Sequence, residues 1–144
     1  MSEQKVPVVP KFRAWDSIKK EMFKDTFAIT ESGEVVVVEQ EFVTSTPDYV
    51  FVDHLVIMQS TGLFDKNGTE IFEGDIVKRY RNPLFKADWE YQIETVVKRE
   101  ACLLLEKKFG KSSATMRFGS PFAKNDLLEV IGNVYENLEL LNEE

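Results

Sequence analysis

The sequence predicts a mainly β protein with no more than one or two short helices or helical turns. Three observations favour this fold class. The apolar residues lie in short runs, the runs are rich in β-branched and aromatic residues, and turn-forming residues separate them. None of the runs has the sustained 3.6-residue apolar stripe of a long helix. We therefore expect antiparallel strands joined by tight turns.

Residues 12–23 predict the first hairpin. Residues 12–15 form a short aromatic run, and Met22 with Phe23 supplies a second run that can pair with it. A short helix over residues 17–23 is the alternative interpretation. We favour the hairpin.

Residues 27–58 predict further strands. Ser32-Gly33-Glu34 forms a turn between the apolar residues 27–29 and the four valines at 35–38. The valine run leads on to Phe42-Val43. Residues 49–58 predict one long strand, since only Asp53 and His54 interrupt their apolar character until Met58.

The clearest turn lies within residues 62–72. Asp65-Lys66-Asn67-Gly68 combines side chains that hydrogen-bond local backbone with a glycine that accepts positive φ, so the chain should reverse between two short strands. Glu73-Gly74-Asp75 predicts a second tight turn, which leads into a strand at residues 76–80. The alternation of a strand divides its side chains between two faces. The predicted faces are Ile76, Lys78 and Tyr80 on one side and Val77 and Arg79 on the other.

The last third of the chain mixes strands with irregular segments. Asn82-Pro83 begins a less regular stretch, residues 108–113 predict an exposed loop, and a helical turn is expected near residues 137–141. Cys102 lies beside three leucines, so we expect a small buried hydrophobic residue. The predicted strands are residues 91–97, 103–105 and 128–135.

The composition defines one ordinary soluble domain over residues 1–144, with residues 1–10 as a loose N-terminal segment. A single cysteine and a single histidine exclude an internal disulfide framework and a Cys/His zinc site. No stretch approaches the ~20 apolar residues of a membrane span, and the opening residues lack the core of a signal peptide. We therefore expect a cytoplasmic protein without a membrane partner.

Three sequence blocks carry more specific information. They are KFRAWD at residues 11–16, QSTGLFDKNGTEIFEGDIV at residues 59–77 and EVIGNVYEN at residues 129–137. In this order the blocks resemble the YopX family of phage and prophage proteins. The chain departs from the family at Ser60, where an aromatic residue is frequent, and at Leu138, where a proline is frequent. The resemblance implies a small, β-rich, barrel-like domain encoded by a phage or prophage, hence a cytoplasmic location in the bacterial host. It implies no activity and no catalytic residues.

The residues of these blocks are best interpreted as having structural roles in the fold. Glycines are required where backbone geometry or close packing leaves no room for a side chain, and large rings supply apolar area for a core. We expect Trp15, Phe64, Phe72 and Tyr135 to pack in the core. The fold-signature residues are Trp15, Gly62, Asp65, Asn67, Gly68, Gly74, Asp75 and Gly132.

The carboxylates at Asp65, Glu70, Glu73 and Asp75 are the strongest candidates for a catalytic or metal site. An EF-hand loop needs glycine at its sixth position and glutamate at its twelfth, whereas counting from Asp65 gives glycine at the fourth and Ile76 at the twelfth. Capping of turns is the favoured role for Asp65 and Asp75. A hydrolase or nuclease built on this set is the third hypothesis for function, because spatial pairing of carboxylates cannot be derived from spacing alone.

Two other patterns predict no site. Gly110-Lys111-Ser112 has Leu105 where a phosphate-binding P-loop needs its first glycine. His54 and its neighbour Asp53 would point to opposite faces of a strand, so they could not pair directly. We therefore expect no catalytic residue, no bound metal and no cofactor.

The charges are unevenly distributed along the chain. Residues 76–117 contain ten Lys or Arg and five Asp or Glu, a balance of +5 within a chain of net charge -7, and aromatic residues are interleaved with them. Such a segment can be a solvated face, an intersubunit face, or a surface for single-stranded nucleic acid. The candidate nucleic-acid or partner residues are Lys78, Arg79, Arg81, Lys86, Trp89, Lys98 and Arg99.

These observations favour a non-enzymatic phage accessory protein, a β scaffold that binds itself or a phage or host protein. Strand edges and apolar runs such as the valines at 35–38 offer a physical route to a homo-oligomer. A single-stranded nucleic-acid-binding module that uses residues 76–117 is the alternative.

Overall fold

The computed structural model describes residues 9–142 and places the chain in two compact units. The smaller unit is residues 13–57, and within the described residues the larger unit combines 9–12 with 58–142. Strands account for 51% of the described residues, one sheet is curled into a half-barrel, and the only helical elements in this part of the chain are two 3-10 turns. The predicted mainly β, barrel-like class is confirmed. The prediction of a single domain stays a prediction, and of the predicted loose segment only Val9 and Pro10, both exposed, lie within the described residues.

Twelve strands make up the described fold. The first five and the start of the sixth belong mainly to the smaller unit: β1 Phe12–Asp16, β2 Glu21–Met22, β3 Phe27–Ile29, β4 Val35–Glu39, β5 Asp48–Val52 and β6 Leu55–Phe64. The others belong to the larger unit: β7 Glu70–Phe72, β8 Asp75–Tyr80, β9 Tyr91–Arg99, β10 Cys102–Phe109, β11 Ser112–Arg117 and β12 Leu128–Asn133. The 3-10 turns are Asn125–Leu127 and Leu138–Asn142.

The smaller unit contains the predicted hairpin and a three-stranded antiparallel sheet. Trp15 of β1 lies opposite Met22 of β2, which confirms the hairpin interpretation over the helix. The sheet has the order β3-β4-β5, so the valine-rich β4 is its central strand. β4 ends at Glu39, and the predicted continuation to Phe42 and Val43 is wrong. Those two residues lie in an exposed turn, because the Gln40 and Ser45 side chains hydrogen-bond its backbone.

The predicted long strand at residues 49–58 is also wrong. It divides at Asp53 and His54 into β5 and β6. The carbonyl of His54 accepts hydrogen bonds from the backbone amide and the hydroxyl of Ser17, at 3.1 and 2.7 Å. β5 belongs to the three-stranded sheet and β6 to a different sheet, so the chain leaves one sheet and enters another at these two residues.

The larger unit is organised around a five-stranded antiparallel sheet of order β11-β10-β9-β8-β12. One face of the sheet contributes to a core whose buried members come from four of these strands and neighbouring segments. The predicted β6–β7 hairpin precedes the sheet, with Asp65 to Gly68 at its turn. The core cluster is Ile71, Val77, Val96, Leu105, Ala123 and Leu128.

Three predictions for the larger unit need correction. The expected loop at residues 108–113 is a tight turn at Gly110 and Lys111 between β10 and β11, and β11 was not predicted because Ser112–Arg117 has little apolar character. Cys102 is exposed, since it begins β10 directly after the β9–β10 turn. Phe64 and Tyr135 are 47% and 38% exposed, so they are not core residues, whereas Trp15 is buried at 7%.

Two signature glycines have clear physical reasons. Gly74 has a φ of +88°, and a Cβ there would lie 3.1 Å from the sulfur of Met58. At Gly132 a Cβ would lie 2.5 Å from the Oδ1 of Asn137 and 2.8 Å from its Cβ, closer than real Cβ contacts allow. The backbone around Gly132 is irregular as well, because the β12–β8 register shifts between Val130 and Gly132. Only glycine therefore fits position 132 without displacing Asn137.

Candidate interaction surfaces

The β5 edge, which we define as Asp48–Val52, is the most exposed apolar strand of the smaller unit. Tyr49 and Phe51 lie opposite Val38 and Val36 of β4 and are 65% and 64% exposed, and Val50 is 40% exposed. Within the described residues β5 pairs only with β4. Its outer backbone donors and acceptors therefore face no other described strand.

The composition of the β5 edge does not protect it against pairing. Edge strands are usually blunted by lysine, proline, a bulge or a charged residue pointing inward. The strand has the sequence DYVFV, with a single charge at its first residue and no proline or lysine. It is therefore a strand edge on which a further strand can be added.

The seven candidate residues of the basic segment do not form one patch. Arg79 and Lys98 project from the same face of the sheet as the core residues Val77 and Val96, because side chains alternate along β8 and β9. Lys78 and Arg99 project from the opposite face. Arg81, Lys86 and Trp89 lie between β8 and β9.

Arg79 is buried in an ion pair. Its Nε and Nη2 donate to the two carboxylate oxygens of Glu94 at 2.8 and 2.9 Å, and its Nη1 donates to the carbonyl of Phe122 at 3.1 Å. The Trp89 ring lies over the guanidinium, 5.3 Å from its carbon to the ring centroid. Only 8% of the Arg79 side chain is exposed. Its charge is thus neutralised inside the fold and is not offered to a partner.

Arg99 is paired as well, although it is half exposed. Its Nη2 donates to an oxygen of the buried Glu106 at 2.9 Å. Lys78 is different, since its Nζ lies over the ring of Tyr91, 4.5 Å from the centroid, and makes no ion pair with any described carboxylate. Among the candidate residues that project from this side of the sheet, Lys78 therefore carries the charge that is most available for binding.

Asp65 organises the central turn. Its Oδ1 accepts from the amides of Asn67 and Thr69 at 2.8 and 2.9 Å, and its Oδ2 accepts from the amide of Val130 at 2.8 Å. Burial of this carboxyl group would raise its pKa, but the backbone hydrogen bonds, including one from Gly68, outweigh burial and hold the pKa below its ordinary value of 3.8. All of these contacts serve the turn and its attachment to β12.

The other predicted carboxylates have separate local partners. Asp75, which is buried, accepts from the amide of Phe72 at 2.8 Å. Glu70 accepts from the hydroxyl of Ser60 and lies 3.6 Å from the Nζ of Lys11, while Glu73 accepts from the amide of Gln59 at 3.3 Å. Within residues 9–142 no group of three or more His, Cys, Asp or Glu side chains is placed to hold a metal ion.

Sequence reasoning missed one polar pair in the smaller unit. The Nε2 of His54 lies 3.8 Å from the Oδ2 of Asp16, beside a cleft of about 680 Å³. The Asp16 Oδ1 accepts from the amides of Ile18 and Lys19 at 3.0 and 2.9 Å. The Lys19 hydrogen bond is the largest influence on the pKa of Asp16; burial opposes it, and Ile18 and His54 support it, so the pKa lies below 3.8. The pair was missed because the turn at His54 was not predicted.

The comparisons with known proteins agree with this fold. The family model described as YopX protein matches residues 11–142. The chain is similar to the crystal structure of protein EF1440 from Enterococcus faecalis, with 28% sequence identity and a TM-score of 0.57, over 94% of this chain and 99% of that chain. No curated protein matches the sequence. The described residues contain no helix with the length and apolar character that crossing a bilayer requires. Because the matching model covers almost the whole chain, the chain belongs to the YopX family.

Proposed function

We propose that this protein is a non-enzymatic accessory protein of a phage or prophage, acting in the cytoplasm of the bacterial host as a self-associating β scaffold. The observation that carries the proposal is the exposed β5 edge. Tyr49 and Phe51 together expose two large apolar side chains on a strand whose outer edge has no described partner. Burial of such side chains is worth about 1.5–3 kcal/mol each, which gives association a substantial driving force.

A second copy of the chain is the occupant that the β5 edge fits best. An antiparallel pair of β5 strands centred on Val50 places Val50 opposite its own symmetry mate, Tyr49 opposite Phe51 and Asp48 opposite Val52. Aromatic pairs across strands are favourable, and the two Asp48 carboxylates lie at opposite ends of the new ladder. The strand can thus pair with its own copy without placing like charges opposite each other.

The pairing would join two three-stranded sheets into one continuous six-stranded sheet. Each added backbone hydrogen bond satisfies groups that otherwise face water, and the aromatic side chains of both copies lie on the new sheet. A different protein that supplies an extended strand would use the same edge.

Sedimentation equilibrium at micromolar concentration tests the proposal. The wild-type protein should sediment as a dimer or larger assembly, and the double variant Tyr49→Lys/Phe51→Lys should be monomeric, because it places like charges directly opposite each other. The variant Tyr49→Lys/Phe51→Glu places opposite charges across the same two-fold axis and should regain association. This charge exchange distinguishes the antiparallel register from general loss of apolar area.

Val43→Lys is the matched control. It also replaces an exposed apolar residue of the smaller unit by lysine, at a position that is 97% exposed and outside any strand. It should leave the assembly unchanged. A wild-type protein that is strictly monomeric at micromolar concentration, and that retains no partner from infected cells, would contradict the proposal.

A further inference from the structure

Two tyrosines and two lysines form a continuous cluster on the larger unit. The Nζ of Lys66 lies 4.5 Å from the ring centroid of Tyr80, and the Nζ of Lys78 lies 4.5 Å from that of Tyr91. The two tyrosine rings are neighbours, with centroids 5.9 Å apart and planes inclined by 59°. We call these four residues the Lys–Tyr face.

Strand alternation explains why the cluster forms. Tyr80 lies directly opposite Tyr91 in the β8–β9 ladder, and Lys78 is two residues before Tyr80, so all three project from the same side of the sheet. The core residue Val77 and the paired Arg79 project from the other side. The core cluster and the Arg79–Glu94 ion pair therefore occupy one face. The opposite face carries the buried Ile76 together with Lys78, Tyr80 and Tyr91.

The charge of this opposite face is positive. Glu106 and Leu104 of β10 project from the same side of the sheet as Lys78, because Glu106 lies opposite Thr95 and Thr95 lies opposite Ile76. Lys108, two residues after Glu106, and Arg117, which lies opposite Leu104, project from that side as well. No described carboxylate forms an ion pair with Lys66, Lys78, Lys108 or Arg117. One carboxylate borders the cluster, because an oxygen of Glu129 lies 3.5 Å from the Tyr80 hydroxyl.

We infer that the Lys–Tyr face binds single-stranded nucleic acid. Tyrosine rings offer stacking surfaces for bases, and the ammonium groups that lie over one face of each ring can contact the phosphates that join those bases. Tyr91 is 39% exposed and is thus open to a base. A duplex keeps its bases stacked on one another, so it can use the lysines but not the rings. This site is on the larger unit and is independent of the β5 edge in the smaller one.

Fluorescence anisotropy with the full chain tests the inference. The probe is a labelled poly(dT) oligonucleotide, compared at low salt with an abasic oligonucleotide of the same length and with the corresponding duplex. Poly(dT) should bind more tightly than either. Tyr91→Leu should weaken poly(dT) binding about ten-fold and leave abasic binding unchanged, because stacking on an aromatic ring is lost.

The lysines are tested through the salt dependence of the affinity. Lys66→Gln/Lys78→Gln should reduce the slope of log K against log salt by about 1.4, since each contact with a single strand contributes about 0.7. Lys98→Gln/Lys107→Gln removes the same charge from the opposite face and should leave the slope unchanged. Glu129→Gln should strengthen binding, because it removes the carboxylate beside Tyr80.

Three results would overturn the inference. They are no binding of poly(dT) at low salt, equal binding of the abasic and poly(dT) probes, and equal loss in the two double-lysine variants. If the abasic probe and vesicles containing anionic lipid both bind as tightly as poly(dT) does, the face is a general polyanion surface instead. Thermal melting of each variant by circular dichroism shows whether a loss of binding comes from loss of the fold. Should Tyr91→Leu fail to fold, Tyr91→Phe, which keeps the ring, should bind as wild type does.

Discussion

Breaking the Arg79–Glu94 pair is the sharpest test of how the larger unit is stabilised. Both side chains are almost fully buried, at 8% and 5% exposed, and two hydrogen bonds join them in a bidentate geometry. Arg79→Met keeps much of the apolar stem but leaves the Glu94 carboxylate without its cation in the sheet. Removing one partner of a buried pair costs about 3–5 kcal/mol. The lost donor to the Phe122 carbonyl adds to this cost.

The assay is urea unfolding at neutral pH, followed by far-UV circular dichroism. The free energy of unfolding of Arg79→Met should fall by about 3–5 kcal/mol with an unchanged m-value. The double variant Arg79→Met/Glu94→Met should recover most of this loss, because two apolar side chains leave no buried charge. A loss below about 1 kcal/mol in the single variant, or a double variant as unstable as the single one, would refute the reasoning.

Three further predictions concern backbone geometry and the central turn. Gly132→Ala should lower the free energy of unfolding by about 1–3 kcal/mol, because the added methyl group is overpacked against Asn137. In a double-mutant cycle, Asn137→Gly should relieve part of that cost. Additive losses of stability would contradict the close approach of the two residues. Ala101→Gly should raise the unfolding free energy by about 1 kcal/mol, since Ala101 has a φ of +67° in the β9–β10 turn, and a melting temperature below that of the wild type would speak against it. The pKa of Asp65 is lower in the folded state than its ordinary 3.8, so its contribution to stability is complete above that value and is lost as the pH falls through the folded pKa. Asp65→Asn should therefore reduce stability at neutral pH and flatten the decline of stability in acid, which chemical unfolding at a series of pH values measures; an unchanged acid slope would exclude this role.

Most of the strands could be predicted because the turns between them are formed by residues that are adjacent in the sequence. The Ser32-Gly33-Glu34 turn joins β3 and β4 as predicted, and the Asp65 to Gly68 turn joins β6 and β7, although β6 is longer than the short strand that was expected. The division at His54 was not predictable in this way, since the hydrogen bonds that hold it come from Ser17. The strand β11 was missed because exposed residues on an edge need no apolar pattern.

The candidate surfaces depended on register, which the sequence leaves open. The basic segment was correctly identified as rich in charge, but alternation along β8 and β9 divides its members between two faces. A signal for the burial of Arg79 was present, because it shares a strand face with Val77, and an arginine on an apolar face requires a partner. The exposure of Tyr49 and Phe51 gave no such signal, since an exposed apolar strand and a core strand have the same composition.

The second oxygen of Asp65 has a consequence for how the protein is made. It accepts from the amide of Val130, 65 residues downstream, and the amide of Lys66 donates to the carbonyl of Leu128 nearby. During translation the ribosome therefore releases the central hairpin long before the segment that completes its hydrogen bonds. The Asp65 turn acquires these partners only when β12 has left the exit tunnel, so a nascent chain stalled before residue 128 lacks the hydrogen bonds to Leu128 and Val130.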